Sequence, residues 1–518
     1  MVEETQVYFT DFLSVRMIGL LLGFHFSICL FGQYDSKNID LLGHKSYPNY
    51  QMSDVWGYSV DSKEYAIATT THGVSIVDVS EPSNLEEIQF IPGPITKWRD
   101  AAIHEGYCYV SNDNGGDGVL IIDLANLGTQ DTLIWKYWID EEVPSEIAHN
   151  IWVADGYLYL FGHDVENQGT LIYDLQDPED PVYVASINER YTHDGFVRND
   201  TLWTADINEG YLTMYDVKDK RQIIKMGEVM TPDLFAHAVW PSDNGQYAYV
   251  CEERSGSPLT VYDVSNPGNM VELDRYYSTR SATVIPHNVH YLNGYLYNSY
   301  YRDGITICDA RNPKELVEVA FFDSCDSLSG DGFDGSWGVY PFLPSGNILL
   351  TDIQNGLFVL KPQISAARRK KLVFIDANNR NRLVGIGLSY KNEWKNTDLM
   401  GEAIVGQSQE EQYLDINVQL PSTMDTTIMV ELLSDFSVDT IYLFLDEISG
   451  IKEKVDQYLP YPNPFKSEIK LPGKLPFTLY NGNGVIVKEG IDNNIDCHDL
   501  PAGLYILDCK SFISKLFK

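Results

Sequence analysis

The chain has 518 residues, with 74 acidic against 37 basic side chains and a formal charge of −37. Such a field repels nucleic acid and anionic membrane surfaces, which removes those partner classes, and it favours solubility and cation uptake. The 34 tyrosines suit many short strands, and the length implies more than one domain.

Residues 17–31 are apolar except for His25 and lead into Gly32-Gln33. A run of 15 is short for a membrane span and suits the apolar centre of a signal peptide. Glu3, Glu4 and Asp11 ahead of it carry the wrong charge for such a signal, as expected if translation begins near Val15 or Met17. Residues 1–32 therefore read as a signal peptide cleaved near Gly32, and the chain as exported. Cys29 follows Ile28, where a lipobox needs a small residue, which argues against a lipoprotein.

From about Ser53 to Pro362 one pattern recurs seven times. Each copy opens on a polar pair: Ser53-Asp54, Arg99-Asp100, His149-Asn150, His193-Asp194, His237-Ala238, His287-Asn288 and Ser336-Trp337. The positions Asp54, Asp100, Asn150, Asp194, Ala238, Asn288 and Ser336 are spaced 46, 50, 44, 44, 50 and 48 residues apart, a period that signals a stacked or circular repeat. A short alternating strand, a turn with Gly, Asn or Asp, and a Tyr-rich second strand follow. A third strand then runs Gly-x-x-x-x-Asp, as from Gly73 to Asp78 or Gly304 to Asp309, and a fourth closes the unit. The aspartates ending the third strands read as Asx turns. Four strands per unit of this length predict a β-propeller blade, and seven copies a seven-bladed ring whose closure protects the sheet edges. The last copy ends at Gly356 to Leu360 without an outer strand, which the segment from Ile39 to Tyr47 would supply.

Ser-Asp-Val-Trp-Gly-Tyr at 53–58, Gly-Val-Ser-Ile-Val-Asp-Val-Ser-Glu-Pro at 73–82, Trp98-Arg99-Asp100, Thr192-His193-Asp194 and Pro-Phe-Leu-Pro-Ser-Gly-Asn at 341–347 resemble the choice-of-anchor B family, which is built from LVIVD-type propeller repeats. The resemblance covers residues 45–362. It implies an exported propeller whose relatives end in varied surface anchors, and it implies no established reaction.

Residues 33–362 thus form the propeller and 363–371, with Arg368, Arg369, Lys370 and Lys371, a basic linker. Residues 372–448 alternate as expected of a small β-sandwich, loosely similar to transthyretin-like modules, acting as a spacer. Residues 456–518 carry Tyr461-Pro462-Asn463-Pro464 and Leu500-Pro501-Ala502-Gly503-Leu504-Tyr505. They resemble the type A C-terminal sorting domain of the type IX secretion system. That resemblance implies a second β-sandwich recognised by the secretion machinery, passage across the outer membrane, and release or attachment at the surface. The whole is expected to be all-β.

Six cysteines follow the expected cleavage point. Cys308 with Cys325 and Cys497 with Cys509 are candidate disulfides by proximity, whereas Cys108 and Cys251 read as buried thiols. No Cys-x-x-Cys pair suggests a zinc–cysteine site.

In a propeller the first strands line the central channel, so His149, His193, His237 and His287 crowd one mouth together with Asp54, Arg99, Asp100, Asn150, Asp194 and Asn288. Successive strand residues point to opposite sides. Inward histidines would suit zinc, copper or another transition metal, with His149, His193, His237 and His287 as ligands. An inward Asp/Asn set would suit Ca²⁺. The alternative to either is that these polar groups hydrogen-bond between blades and brace the ring. His72, His104, His163 and His290 fall off this register and read as structural. The acidic Gly-rich loops 113–118 and 331–335 read as solvated turns. Trp98, Arg99, Trp152, Trp240 and Trp337 offer either a stacking floor for a glycan or peptide, or packing between blades.

No nucleophile elbow, zinc-protease helix, P-loop or dinucleotide fingerprint occurs. Two function classes remain: a surface or secreted binding module for an extracellular protein or glycan, and a metal-dependent extracellular enzyme working through the histidine mouth. The absence of a catalytic motif favours the first.

Overall fold

The structure is a computed structural model that describes residues 34–376 except Gln130, then 382–383, 387–390, 393–396, 402–408, 416–419, 428–434, 437–443, 467–481, 486–501, 504–508 and 513–517. The expected signal peptide, the motif residues Tyr461, Pro462, Asn463, Pro464 and Gly503, and Cys509 lie outside the described residues. The chain divides into two compact units near Arg369.

The first unit is a seven-bladed β-propeller. Blade 1 runs through Met52–Val60, Lys63–Thr70, Gly73–Asp78 and Glu86–Pro92, and blade 2 through Ala101–His104, Tyr107–Val110, Val119–Asp123 and Ile134–Trp138. Blade 3 is Asn150–Ala154, Tyr157–Phe161, Thr170–Asp174 and Val182–Ile187, and blade 4 is Asp194–Arg198, Thr201–Asp206, Tyr211–Asp216 and Ile224–Met230. Blade 5 is Ala236–Pro241, Tyr247–Glu252, Leu259–Asp263 and Val271–Tyr276, and blade 6 is Val289–Leu292, Tyr295–Tyr300, Gly304–Asp309 and Val317–Phe322. In blade 7, Ser336–Tyr340, Ile348–Asp352 and Gly356–Pro362 are joined by Ile39–Lys45, which pairs antiparallel with Gly356–Pro362. The outermost strand of the last blade therefore comes from the N-terminal side, as its missing strand predicts, and the ring is closed by backbone pairing. Ser36–Lys37 adds a fifth strand to blade 6.

Local chemistry explains the repeat. Between first and second strands the two-residue turns Asp61-Ser62, Glu105-Gly106, Asp155-Gly156, Asn199-Asp200 and Asn293-Gly294 all have positive φ at both positions. That is the type I′ turn, whose twist matches the strands and which favours Asn, Asp and Gly. After the third strands, Asp78, Asp123, Asp174, Asp216, Asp263 and Asp309 each accept the N–H two residues on, at 2.7–3.1 Å. These are the expected Asx turns. Middle strands are buried on both faces because each sheet packs between two neighbours. Gly73–Asp78 and Lys63–Thr70 are buried almost throughout, while Glu86–Pro92 at the rim is largely exposed.

Where blade 7 meets blade 1 the backbones come close. A Cβ on Gly338 would lie 2.8 Å from the Val55 nitrogen, so only glycine fits at this seam.

The cysteine arrangement differs from expectation. Cys308 and Cys325 are both buried free thiols. Cys308 points into the core shared by blades 5 and 6, near Tyr276 and Tyr300, whereas Cys325 sits in the loop after the outer strand. Nearness in sequence does not bring the two to one side of the sheet. Cys108 and Cys251 are buried thiols, their ionisation suppressed by burial.

One strand, Ala367–Asp376, spans the division at Arg369 and pairs with Ile428–Ser434 in a sheet that also holds Glu402–Ser408 and Ser437–Leu443. Gly387–Tyr390 lies between Glu393–Asn396 and Ile416–Gln419. A third sheet pairs Glu468–Asn481 with Ile486–Asp496 and Leu504–Asp508, the latter also pairing Ile513–Phe517. Ile469, Leu479, Ile495 and Leu507 form its core. Tyr505 is buried there and its hydroxyl donates to the Pro501 carbonyl at 2.6 Å.

Candidate functional site

The channel is a layered pit. Deepest is an aromatic plug of Trp56, Trp152, Phe196, Trp240, His290 and Phe342, with ring centroids 4.5–5.7 Å apart. Trp56, Trp152, Phe196 and His290 each stand two residues after Asp54, Asn150, Asp194 and Asn288, and Trp240 two after Ala238, so strand alternation points both residue sets inward. His290 belongs to this plug, and burial pushes its basicity down to about 3. Trp152 and Trp240 therefore pack, as one of the two alternatives held.

Above the plug lie the carboxyl and amide groups. Burial pushes Asp54 up to about 7 and Asp194 up to about 8. Asp100 is raised further by burial and by the charges of Asp54, Asp194 and Asp113. Asp100 and Asp194 keep part of their surface exposed yet behave as desolvated groups, because the surrounding protein displaces bulk water from their carboxyls. Asn150 and Asp194 accept the N–H of the following residue, at 2.5 and 2.6 Å.

The histidines form the rim. They also face the pit because His149, His193 and His287 precede their strands and His237 sits at the β-bulge between Ala236 and Ala238, where alternation does not constrain them. Members of both sets reach one cavity: His149, Asn150, His193, His237, His287, Asn288 and Asp100 line it with Trp98, Glu253 and Trp337, whereas Asp54 and Asp194 are not in its lining. The imidazoles form a ladder, His149 to His193 at 4.1 Å, His193 to His237 at 4.2 Å, and His237 to His287 at 4.5 Å, ending on Trp337 at 4.8 Å. The Nδ1 of His193, His237 and His287 lies 3.1, 3.0 and 2.8 Å from the carbonyl of His237, His287 and Trp337 respectively. A carbonyl only accepts, so each Nδ1 carries the proton and donates to the next blade. His149 differs: its Nδ1 meets the Asp113 carboxylate at 2.8 Å, which ties down the first acidic loop. Burial holds His193 and His237 far below the ordinary histidine value, with neighbouring imidazoles adding to it, and burial brings His287 to about 3.

Elsewhere in the ring hydroxyls take over this bracing. Thr69 Oγ1 lies 2.9 Å from both the Asp54 carbonyl and the Arg99 carbonyl of the next blade. Ser111 donates to the His149 carbonyl at 3.1 Å, and Thr351 donates to the Ser53 carbonyl at 2.6 Å.

Glu253, in the loop after the second strand of blade 5, is a site residue that the repeat did not reveal. Its Oε2 is 3.7 Å from His237 Nε2, and its Oε1 accepts the Tyr301 hydroxyl at 2.5 Å. Burial raises it to about 7. Among the described residues, His237, Glu253 and His287 are the one set of three or more potential metal ligands lying within 4.8 Å of one another. His149 and His193 are not brought to that point, nor do Asp54, Asp100 and Asp194 form such a group. The cavity measures about 30 Å³, room for a few water molecules at most.

Arg99 does not line the pit. It is buried, donating to the Thr70 carbonyl at 2.7 Å and to the Pro94 carbonyl, and burial lowers it to about 10. The second acidic loop is held by Arg302, which binds Asp334 and the Asp331 carbonyl.

Trp98 is 42% exposed and connects the mouth to a larger groove of about 710 Å³ along the edge of blades 7, 1 and 2. Tyr47, Tyr50, His72 and Ile95 supply flat or apolar surface, and Asn49, Gln51, Asn114 and Gln354 supply amides. Lys97 is the one charged lining residue. His72, expected to be structural, lies tilted against Tyr50 in this groove, with ring centroids 5.0 Å apart. The sequence carried no periodic signal for it, because the lining comes from irregular segments.

The LVIVD repeat family matches residues 62–90 and 238–278, in blades 1 and 5. No curated protein matches the chain. Among solved structures, the β-propeller domain of Cps50 (Swd1) from Myceliophteria thermophila is similar at 11% identity over 62% of this chain and 98% of that one, with a TM-score of 0.43. The chain is a seven-bladed β-propeller with LVIVD repeats, followed by further β-sheet.

Proposed function

We propose that this protein is an exported binding module, delivered to the outer cell surface or beyond by type IX secretion through its C-terminal segment, and that the propeller presents its mouth face to an extracellular polymer. The observation that carries the reading is the groove running from Tyr47 to Trp98. In a chain of net charge −37, its lining is nearly uncharged and combines aromatic faces with amides. Aromatic faces stack on apolar ring faces and amides hydrogen-bond hydroxyls, which suits a neutral glycan better than a charged polymer. The Pro-Asn-Pro and Pro-Ala-Gly-Leu-Tyr signatures of residues 462–464 and 501–505 support the secretion route.

Affinity electrophoresis of the full-length chain through gels containing neutral polysaccharides tests this reading. Retardation that is lost in Trp98→Ala is the expected result. Unretarded migration through neutral glucans, xylans and mannans overturns the glycan assignment and leaves a protein ligand for the same face.

A further inference from the structure

The bracing histidines have a geometric by-product. Because His237 and His287 spend Nδ1–H on backbone carbonyls, each presents the lone pair of Nε2 on the other edge of the ring. The potential ligand atoms of these two imidazoles and the Glu253 carboxylate all lie within 4.8 Å of one another, and the three residues line the same small cavity. We propose that His237, His287 and Glu253 form a divalent transition-metal site of the zinc class, with a remaining coordination position open to the channel mouth.

The chemistry of the donors fits. Two imidazoles and a carboxylate are a recurrent ligand set for borderline divalent ions with an open position. The supporting groups are of the kind metal sites use: carbonyl acceptors fix both imidazole tautomers at 2.8 and 3.0 Å, and the Tyr301 hydroxyl orients the carboxylate. Ligand atoms around a bound zinc sit about 3.4 Å apart, so occupation draws them inward by about 1 Å. Glu253 is placed to supply that movement, since it lies on a loop beyond its strand rather than within it. His193, whose ring is 4.2 Å from that of His237, stands where it can hydrogen-bond a water in the open position. This inference goes beyond the binding reading and does not depend on the groove.

The test uses full-length protein stripped with a chelator and titrated calorimetrically with Zn²⁺. One ion per chain is expected, and Glu253→Gln should weaken the affinity by at least about 10-fold. This substitution keeps the volume and an acceptor for Tyr301, and it leaves the bracing bonds of both histidines untouched. Thr69→Ala, which removes a brace on the other side of the ring, should leave zinc affinity unchanged. Co²⁺ in place of zinc should give a ligand-field spectrum that Glu253→Gln shifts. His287→Ala should abolish binding; should it fail to fold, Glu253→Gln still decides. Absence of stoichiometric zinc uptake, or equal affinity in the wild type and Glu253→Gln, overturns the proposal.

Discussion

Two arcs of the same ring solve one problem with different groups. From blade 7 to blade 3, hydroxyls of Thr351, Thr69 and Ser111 reach the backbone of the next blade. From blade 4 to blade 7, the imidazoles of His193, His237 and His287 do so. A hydroxyl that donates its one proton to a buried carbonyl leaves nothing reactive facing the pit. An imidazole doing the same leaves a lone pair. The difference shows how a structural requirement repeated around a ring can yield a chemically competent face on one side only.

The comparison is open to direct attack. His237→Ala removes the bond to the His287 carbonyl, leaves that acceptor unmet and opens a void, so a loss of about 2–4 kcal/mol is expected, read from the urea midpoint of the propeller transition. Thr69→Ala, in the hydroxyl arc, should cost about 1–2 kcal/mol because only one proton and little volume are lost. Equal losses would mean that the two arcs contribute equally to stability and that the distinction is chemical alone.

The carboxyl layer beneath the rim gives a pH test. Asp194 has a folded value of about 8 against an ordinary 3.8, so between these values the folded state holds a proton that the unfolded state has released. Its contribution is fully present below the unfolded value and is lost as pH rises towards 8. His287 runs the other way. Its folded value near 3 lies below the ordinary 6.5, so its contribution is present above 6.5 and lost as pH falls towards 3. Asp194→Asn should therefore stabilise the protein at pH 8.5 by on the order of 1–2 kcal/mol and change little at pH 4. A stabilisation that is the same at both pH values would show that Asp194 does not titrate in this range. The smallest effect is expected for Trp98→Ala, within about 0.5 kcal/mol in the same denaturation assay because the indole is partly exposed at the mouth, although this variant should lose glycan retardation. A large stability loss there would make Trp98 part of the ring rather than of a binding surface.

Much of the fold was legible in the chain. The seven copies, the positive-φ turns and the Asx caps recur because each is a local solution to a local need, written in residues a few positions apart. The closing strand was legible only by default, as the strand blade 7 lacked. Legibility ended where residues from different repeats meet. His149 and His237 look equivalent in sequence, yet one is bound to Asp113 while the other lies beside Glu253. Glu253 belongs to a loop that no repeat describes. Arg99 looked like a mouth residue because it precedes Asp100, but its guanidinium turns back onto the carbonyls of Thr70 and Pro94.

The sequence by itself determined how many blades there are, where each first strand begins, and that the polar pairs gather at one axis, because period and alternation are properties of the backbone. Only the tertiary structure decided that His149 with Asn150 and His287 with Asn288 both reach the pit, that three histidines spend Nδ1 on neighbouring blades, and that Glu253 joins His237 and His287. Those outcomes depend on which carbonyl or carboxylate the closed ring places beside each imidazole, and strand spacing does not specify such neighbours.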